Sequence, residues 1–532
     1  MGSTQRLPNA IDLSHHLNTH SKSRNASPLK DILAFMSYEG MISLAGGLPH
    51  PSLFPFQSTS ISTYPSSVVL DAAGMPKVEQ DVLNVTITKE EQTGQMISLA
   101  KALQYGSGLG DTSLREWARS FTDTVFGPAY QDFEILLNSG NTDGWCKVVR
   151  LLCEPGDFVI CEQHTYPSAQ ALWIPMGCQA IPVRMDGQGI IPEELERLME
   201  NWEVLHPKTK RPHLLYLVPV GSNPTGVTML GARRKAIYDA CVKFDIIICE
   251  DDPYSFLQYP DYQTGTTDLV YEAVTPNVYK ASLAPSFLAY DYQGRVIRLD
   301  TFSKTLAPGN RLGYFVANPM FTERLTRATE VETQAPSGWS QAIIGNLLSS
   351  WGTAGYLQWL STLRLQYQRR RDWMCQAIAS SFDLRPASSF DLPGAEGLIA
   401  FAKGSFSSSA IPIFSFMPPT GGMFIWARLN FASSPRFAEI QSDSSCKDPE
   451  QAFSDEIWIK LAKALVLVTP GSYYTPWEGL ERTTTKEMGR EEGIGYFRLA
   501  FSLTTKEEME IGIERMAMVL NSSWGISSGY EK

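Results

Sequence analysis

Val296-Ile297-Arg298-Leu299-Asp300-Thr301-Phe302-Ser303-Lys304 is a mostly apolar run that closes on hydroxyls and a lysine. Its length and β-branched content suit a buried strand, and Pro308-Gly309-Asn310-Arg311 just downstream supplies turn residues. Four runs of the same kind lie upstream: Phe133 to Leu137, Phe158 to Cys161, Leu214 to Val218 and Asp245 to Cys249. Turn residues and a helical stretch separate one run from the next. Continuous apolar strands separated by helices predict a mostly parallel sheet covered on both faces, and therefore an α/β chain. Ligands of such sheets bind beyond the carboxyl ends of the strands. The residues just after each run are thus the candidates for chemistry.

Outside this core, residues 1–28 are polar, carry His15, His16 and His20, and read as a flexible arm followed by a helix from Leu29 to about Phe35. Segments 57–95, 382–415, 432–452 and 476–493 show no clear period and read as surface insertions. At 532 residues and 43% hydrophobic content the chain exceeds what one core usually spans, so about two domains are expected. A formal charge of −11 argues against nucleic acid or an anionic membrane as partner. An anionic ligand must then be held by a few local arginines. The eight cysteines form no CxxC pair and no His spacing suited to zinc, so no metal site is expected. Several lie in apolar runs and read as reduced core residues, which fits a cytoplasmic compartment. No apolar run reaches about 18 residues and the N-terminus carries no signal pattern, so no membrane span is expected.

The lysine that ends the deciding stretch points to a specific chemistry. An ammonium is no nucleophile, and one meant to form an imine needs a desolvated, locally positive setting. Burial at a strand end would remove water from Lys304, and Arg311 would add a like charge while offering a planar fork to a phosphate. Thr301 and Ser303 could donate to the same phosphate, and Pro308 with Gly309 would shape the turn that returns Arg311. This is the arrangement of a pyridoxal phosphate site. An isolated Ser-x-Lys also occurs by chance in ordinary loops, so the neighbouring motifs decide.

Asn138-Ser139-Gly140-Asn141-Thr142-Asp143 follows one run and opens a helix, whose amides with Asn141 and Thr142 could cradle a phosphate. Tyr166 follows another run and offers a flat face for a ring, or is a plain core tyrosine. Asn223-Pro224-Thr225-Gly226 is most often only a turn, but after a strand its Asn223 amide could donate to a phenolic oxygen. Glu250-Asp251-Asp252-Pro253-Tyr254 places carboxylates where one could pair with a protonated pyridine nitrogen. The Asp-x-x-Tyr spacing favours Asp251, with Tyr254 reaching the same phenolic oxygen as Asn223.

Together these motifs occur in the order and rough spacing of fold-type I, class I aminotransferases, which the chain resembles. Ile42-Ser43-Leu44-Ala45-Gly46-Gly47-Leu48-Pro49, Leu103-Gln104-Tyr105-Gly106, Glu250 to Tyr254 and Pro419-Thr420-Gly421-Gly422-Met423-Phe424 look like the fungal aromatic and kynurenine/α-aminoadipate branch. The resemblance covers about residues 22 to 520. It implies a large cofactor-binding domain over 115–345 and a small α+β domain built from 29–114 and 346–532. It also implies that Arg498 clamps the substrate α-carboxylate, that Gly46 and Gly47 lie where a segment closes over substrate, and that Tyr105 reaches the phosphate of a partner subunit in a homodimer. Thr301 and Asn141 stand where other members have serine, and each keeps a hydrogen-bonding group. The implied reaction is transamination of tyrosine, phenylalanine or tryptophan with 2-oxoglutarate, ping-pong through a Lys304 Schiff base. A 2-aminoadipate or kynurenine aminotransferase, a lyase of the same fold and an aminotransferase-like regulator are the alternatives.

Overall fold

The computed structural model describes residues 7–26, 35, 38–42, 44–45, 47–77, 82–265, 271–404, 410–478 and 484–526. A hairpin of β1 (Ser58–Thr63) and β2 (Leu83–Thr88) comes first. The main sheet then takes β3 (Glu134–Asn138), β4 (Phe158–Glu162), β5 (Gln179–Val183), β8 (Leu214–Leu217), β9 (Ile247–Asp251), β10 (Val296–Thr301) and β11 (Gly313–Ala317), with a two-residue ribbon of β6 (Met185–Asp186) and β7 (Gly189–Ile190) beside it. Its order is β3-β11-β10-β9-β8-β4-β5. All neighbours from β10 to β5 run parallel, and β11 alone is antiparallel to both β10 and β3. All five predicted runs are therefore strands of one α/β sheet. Sequence reasoning missed β5 and β11.

The burial of these strands explains why their sequences do not alternate. Every residue of β8, β9, β10 and β11 is buried, because helices such as Asn141–Leu152 and Gly231–Lys243 cover the faces. Parallel register then brings the carboxyl ends to one edge: Leu299 of β10 pairs with Asp251 of β9, and Leu217 of β8 with Glu250. Six of the eight cysteines are buried here and in the second core, and all eight are free thiols.

A second sheet, of six strands, is built from β12 (Phe382–Pro386), β13 (Leu398–Ala402), β14 (Pro412–Phe416), β15 (Phe424–Asn430), β16 (Thr469–Pro470) and β17 (Ile494–Ala500), in the order β12-β13-β14-β15-β17-β16 and antiparallel throughout. The helical stretch Gly338–Ser381 links the two sheets and breaks at Gly352, whose φ of +64° favours a residue without Cβ. The sheets touch where two loops meet. A Cβ on Gly221 would lie 2.3 Å from the Gly422 nitrogen, so only bare backbone lets the loop after β8 pack against the loop before β15.

Three readings need correction. Residues 7–26 are not a loose arm: Leu13 is fully buried, Asn18 donates to the Arg150 and Cys153 carbonyls, and His16 is buried against His213 and Asp245. Leu13 and Leu17, four apart around a short 3₁₀ turn, dock in the core despite polar neighbours. The segment 57–95 is not a mere insertion, since Val85 and Ile87 of β2 enter the main core on alternate positions of the strand. Within 382–415 lie β12, β13 and all but the last residue of β14, and within 432–452 the helix Pro435–Ser442. Short strands facing a helix on one side give too few residues for a clear period. The helix expected over 29–35 lies almost wholly outside the described residues.

Candidate active site

The chain leaves β10 at Thr301 and turns at once, placing Ser303 and Lys304 over the carboxyl edge of the sheet. The 3₁₀ turn Pro308–Asn310 ends on Arg311, which sits in the left-handed region at φ +45°. That conformation costs a non-glycine residue on the order of 1 kcal/mol, and its guanidinium repays it with contacts. Nη1 donates to Ser303 Oγ (3.2 Å) and the Pro308 carbonyl (2.8 Å), and Nη2 to the Ser139 carbonyl (2.9 Å). Burial, and secondly the Arg311 charge, hold the Lys304 amine below its ordinary range. A larger share of neutral, nucleophilic amine follows.

Asp251 ends β9 and forms the back of the same cavity. Its Oδ1 accepts from Asn141 Nδ2 (2.7 Å) and its Oδ2 from Tyr216 Oη (2.7 Å). Burial raises its carboxyl above the usual range, while the Tyr216 and Asn141 hydrogen bonds and the Arg298 charge work against that rise. Asp252 points away. Because successive residues of a strand face opposite sides, Asp252 meets Arg298 at 2.9 Å, in a buried group with Asp300 and Glu250. Of the two acids only Asp251 lines the cavity.

Asn223 and Arg498 come from different sheets and meet: Arg498 Nη1 donates to Asn223 Oδ1 at 2.7 Å. Asn223 also lines the cavity. Arg498 is carried by β17 opposite Trp426 of β15, and its guanidinium lies 4.3 Å from the Phe424 ring centre and 5.2 Å from that of Tyr474. Nη2 donates to Thr469 Oγ1 at 3.4 Å, and Nε has no hydrogen-bond partner among the described residues.

One cavity of about 420 Å³ is lined by Asn141, Thr142, Tyr166, Asn223, Asp251, Tyr254, Thr301, Ser303, Lys304, Arg311 and Arg498. Two larger cavities, of about 1120 and 930 Å³, lack this constellation. Tyr105 lies in the latter and is 64% exposed, so within one chain it does not reach Lys304. Gly47 lines none of the three cavities, and Gly46 lies outside the described residues. Sequence reasoning missed Tyr216, Trp145 and Phe424, which line the cavity, and Tyr474, which stacks on Arg498. Tyr216 carried a faint signal as the one polar-tipped residue of a fully buried apolar strand.

The residues present fit pyridoxal phosphate. Asn141 Oδ1 and Arg498 Nε are buried without a hydrogen-bond partner among the described residues. Gly140 stands before the helix Asn141–Leu152 at φ +96°, a backbone conformation that favours glycine, and a Cβ there would push the Arg311 guanidinium out of the cradle. Hydroxyl, amide and guanidinium donors suit a phosphate at this end, and a carboxylate and an amine suit ring nitrogen and aldehyde at the other.

Comparison with known proteins adds an independent line. Residues 72–516 match the family model described as aminotransferase class I and II. The chain is 33% identical over 516 residues to an aromatic amino acid aminotransferase of Schizosaccharomyces pombe, covering 96% of this chain and 98% of that one. It is 34% identical over 448 residues to an L-tyrosine:2-oxoglutarate aminotransferase of Tapinella panuoides, covering 83% and 78%. Among solved structures, the aminotransferase Aro8 of Candida albicans superposes with a TM-score of 0.82 at 30% identity, covering 98% of this chain and 100% of that one.

Proposed function

The chain belongs to the aminotransferase class I and II family, and from that premise we propose that it moves the amino group of tyrosine, phenylalanine or tryptophan to 2-oxoglutarate, giving the aryl 2-oxo acid and L-glutamate. It is a pyridoxal phosphate-dependent enzyme. That cofactor, when bound, supplies an electron sink for negative charge at the substrate α-carbon. The observation that carries the reading is the meeting, in one 420 Å³ cavity, of a lysine with a lowered pKa, a buried carboxylate and an arginine whose Nε has no partner among the described residues.

In this reading Arg311, Ser303, Thr301, Thr142 and the amides after Gly140 hold the phosphate. Asp251 would pair with the ring nitrogen, Tyr166 would face the ring, and Asn223 and Tyr254 would donate to the phenolic oxygen. Lys304 would hold the cofactor's aldehyde carbon through its amine, and the same amine is placed to carry the proton taken from the substrate α-carbon. Arg498 orients the substrate by a bidentate grip on its carboxylate, contributing about 1.5–3 kcal/mol. Both half-reactions use this one site, so the kinetics are ping-pong.

Tyr105, exposed and remote from Lys304, supports a homodimer in which it reaches the partner's cofactor phosphate, with Gly46 and Gly47 near the substrate entrance. The division into a large domain over 115–345 and a small domain from 29–114 and 346–532 belongs to the same reading, as does a cytoplasmic location. Among the described residues no helix is long and apolar enough to cross a membrane. Support for an aromatic substrate comes from relatives named for aromatic amino acids and tyrosine. A panel of amino acids with 2-oxoglutarate tests it: tyrosine or phenylalanine should turn over fastest, and faster turnover of α-aminoadipate would sink the aromatic assignment.

A further inference from the structure

Among the described residues Asp251 is the one carboxylate that lines the cavity, and both of its oxygens already accept hydrogen bonds. The two donors differ in kind. Asn141 shares its Nδ2 between Asp251 Oδ1 and the Leu299 carbonyl at 3.0 Å, whereas the Tyr216 hydroxyl makes a single bond of 2.7 Å to Oδ2. Tyr216 is fully buried on β8 and gripped by aromatic neighbours, its ring centre 4.5 Å from that of Trp145 and 6.3 Å from that of Trp173. Trp145 is itself anchored by its indole N–H on the Ala169 carbonyl. A phenol held this way cannot turn to another acceptor, and burial keeps it protonated far above neutral pH. It is therefore a permanent donor.

We propose that Tyr216 is a positioning residue for the reaction: by donating to Asp251 Oδ2 it keeps that side chain anionic and aimed at the cofactor's ring nitrogen. The proposal rests on the reading of Asp251 as the ring partner. A carboxylate buried beside Tyr216 and Asn141, with only the more distant Arg298 as counter-charge, would otherwise be driven toward taking up a proton. A neutral acid there would no longer stabilise a protonated ring nitrogen. The bond to Tyr216 favours the charged form, because a carboxylate oxygen is a stronger acceptor than an oxygen of the neutral acid. Arg298 adds a weaker, more distant pull in the same direction.

The test measures pyridoxal phosphate affinity of cofactor-free protein by titration, from pH 5 to pH 9, for the wild type, Tyr216→Phe, Asp251→Asn and the double variant. Phenylalanine keeps the ring between Trp145 and Trp173, and the melting temperature of the cofactor-free protein checks that the variant folds. Tyr216→Phe should weaken binding roughly tenfold, the size of one charge-assisted hydrogen bond. The acid limb of its binding profile should move up by about one pH unit. In the Asp251→Asn background the same change should cost nothing further, since the effect runs through the carboxylate. Tyr216→His, which retains a ring N–H, should recover part of the affinity and keeps the test open if the phenylalanine variant misfolds. Additive losses in the double variant, or an unshifted acid limb, would overturn the role of Tyr216. Wild-type affinity in Asp251→Asn alone would instead overturn the reading of Asp251 on which it rests.

Discussion

The two walls of the cavity are built on opposite principles. The wall from the parallel sheet is satisfied in advance: Asp251 has a donor on each oxygen, and Arg311 is tied to Ser303, Pro308 and Ser139. The wall from the antiparallel sheet is less complete: Arg498 lies against Phe424 and Tyr474 and donates to Asn223 and Thr469, but its Nε has no partner among the described residues. A resident cofactor needs fixed groups whose organisation is complete before it arrives. A substrate that enters and leaves each cycle needs an unspent donor. The contrast teaches which wall serves which guest.

Breaking the fixed wall should have the largest effect. Lys304→Ala is expected to lower transamination by at least ~10²–10⁴-fold, the usual worth of a positioned acid–base group, and to abolish the visible absorbance of the purified holoenzyme. An unchanged spectrum would refute the site. Breaking the less complete wall should be milder and of a different kind. Arg498→Ala should lower kcat/KM for amino acids by ~10–100-fold, the loss expected for a charged, bidentate grip, while leaving the cofactor spectrum as it is; a bleached spectrum would show that the two walls are not separable.

The seam between the walls offers the smallest and most specific effect. Glu162, at the end of β4, accepts from the Val218 N–H (3.3 Å) and from Ser222 Oγ (3.2 Å), next to Asn223. Burial pushes its carboxyl up to about 8, so the folded protein binds more protons than the unfolded chain between pH 4.5 and about 8. Stability must then fall as pH rises through that window. Glu162→Gln keeps an acceptor and removes the titration. Thermal melts should lose that slope, with a Tm gain on the order of 2 °C at pH 8 and little change at pH 4.5. A parallel slope in the variant would place the titration elsewhere.

Much of the first wall could be read in the chain because its residues follow strands directly. Asn141, Asp251, Ser303 and Lys304 each sit at or within four residues of a strand end, where a parallel sheet collects its ligands. The choice between Asp251 and Asp252 was only favoured by spacing, and needed Arg298 to claim the second acid from the far side of the sheet. Tyr216 was hidden because a tyrosine in a buried strand looks like core until its hydroxyl is seen to meet a carboxylate 35 residues away. The polar arm at 7–26 misled for a related reason: composition reports average polarity, whereas docking turns on Leu13 and on Asn18 bonds to carbonyls more than 130 positions distant.

By itself the sequence determined the class of the fold and the identity of the reactive groups. Strand periodicity, turn residues and side-chain chemistry are local properties that survive in one dimension. Only the tertiary structure decided how the walls face each other. Gly221 and Gly422 are 201 positions apart, yet their backbones touch so closely that neither could carry a Cβ, and this contact helps bring Arg498 within 2.7 Å of Asn223. Such a meeting depends on the packing of two separate sheets, and no short window of residues encodes it.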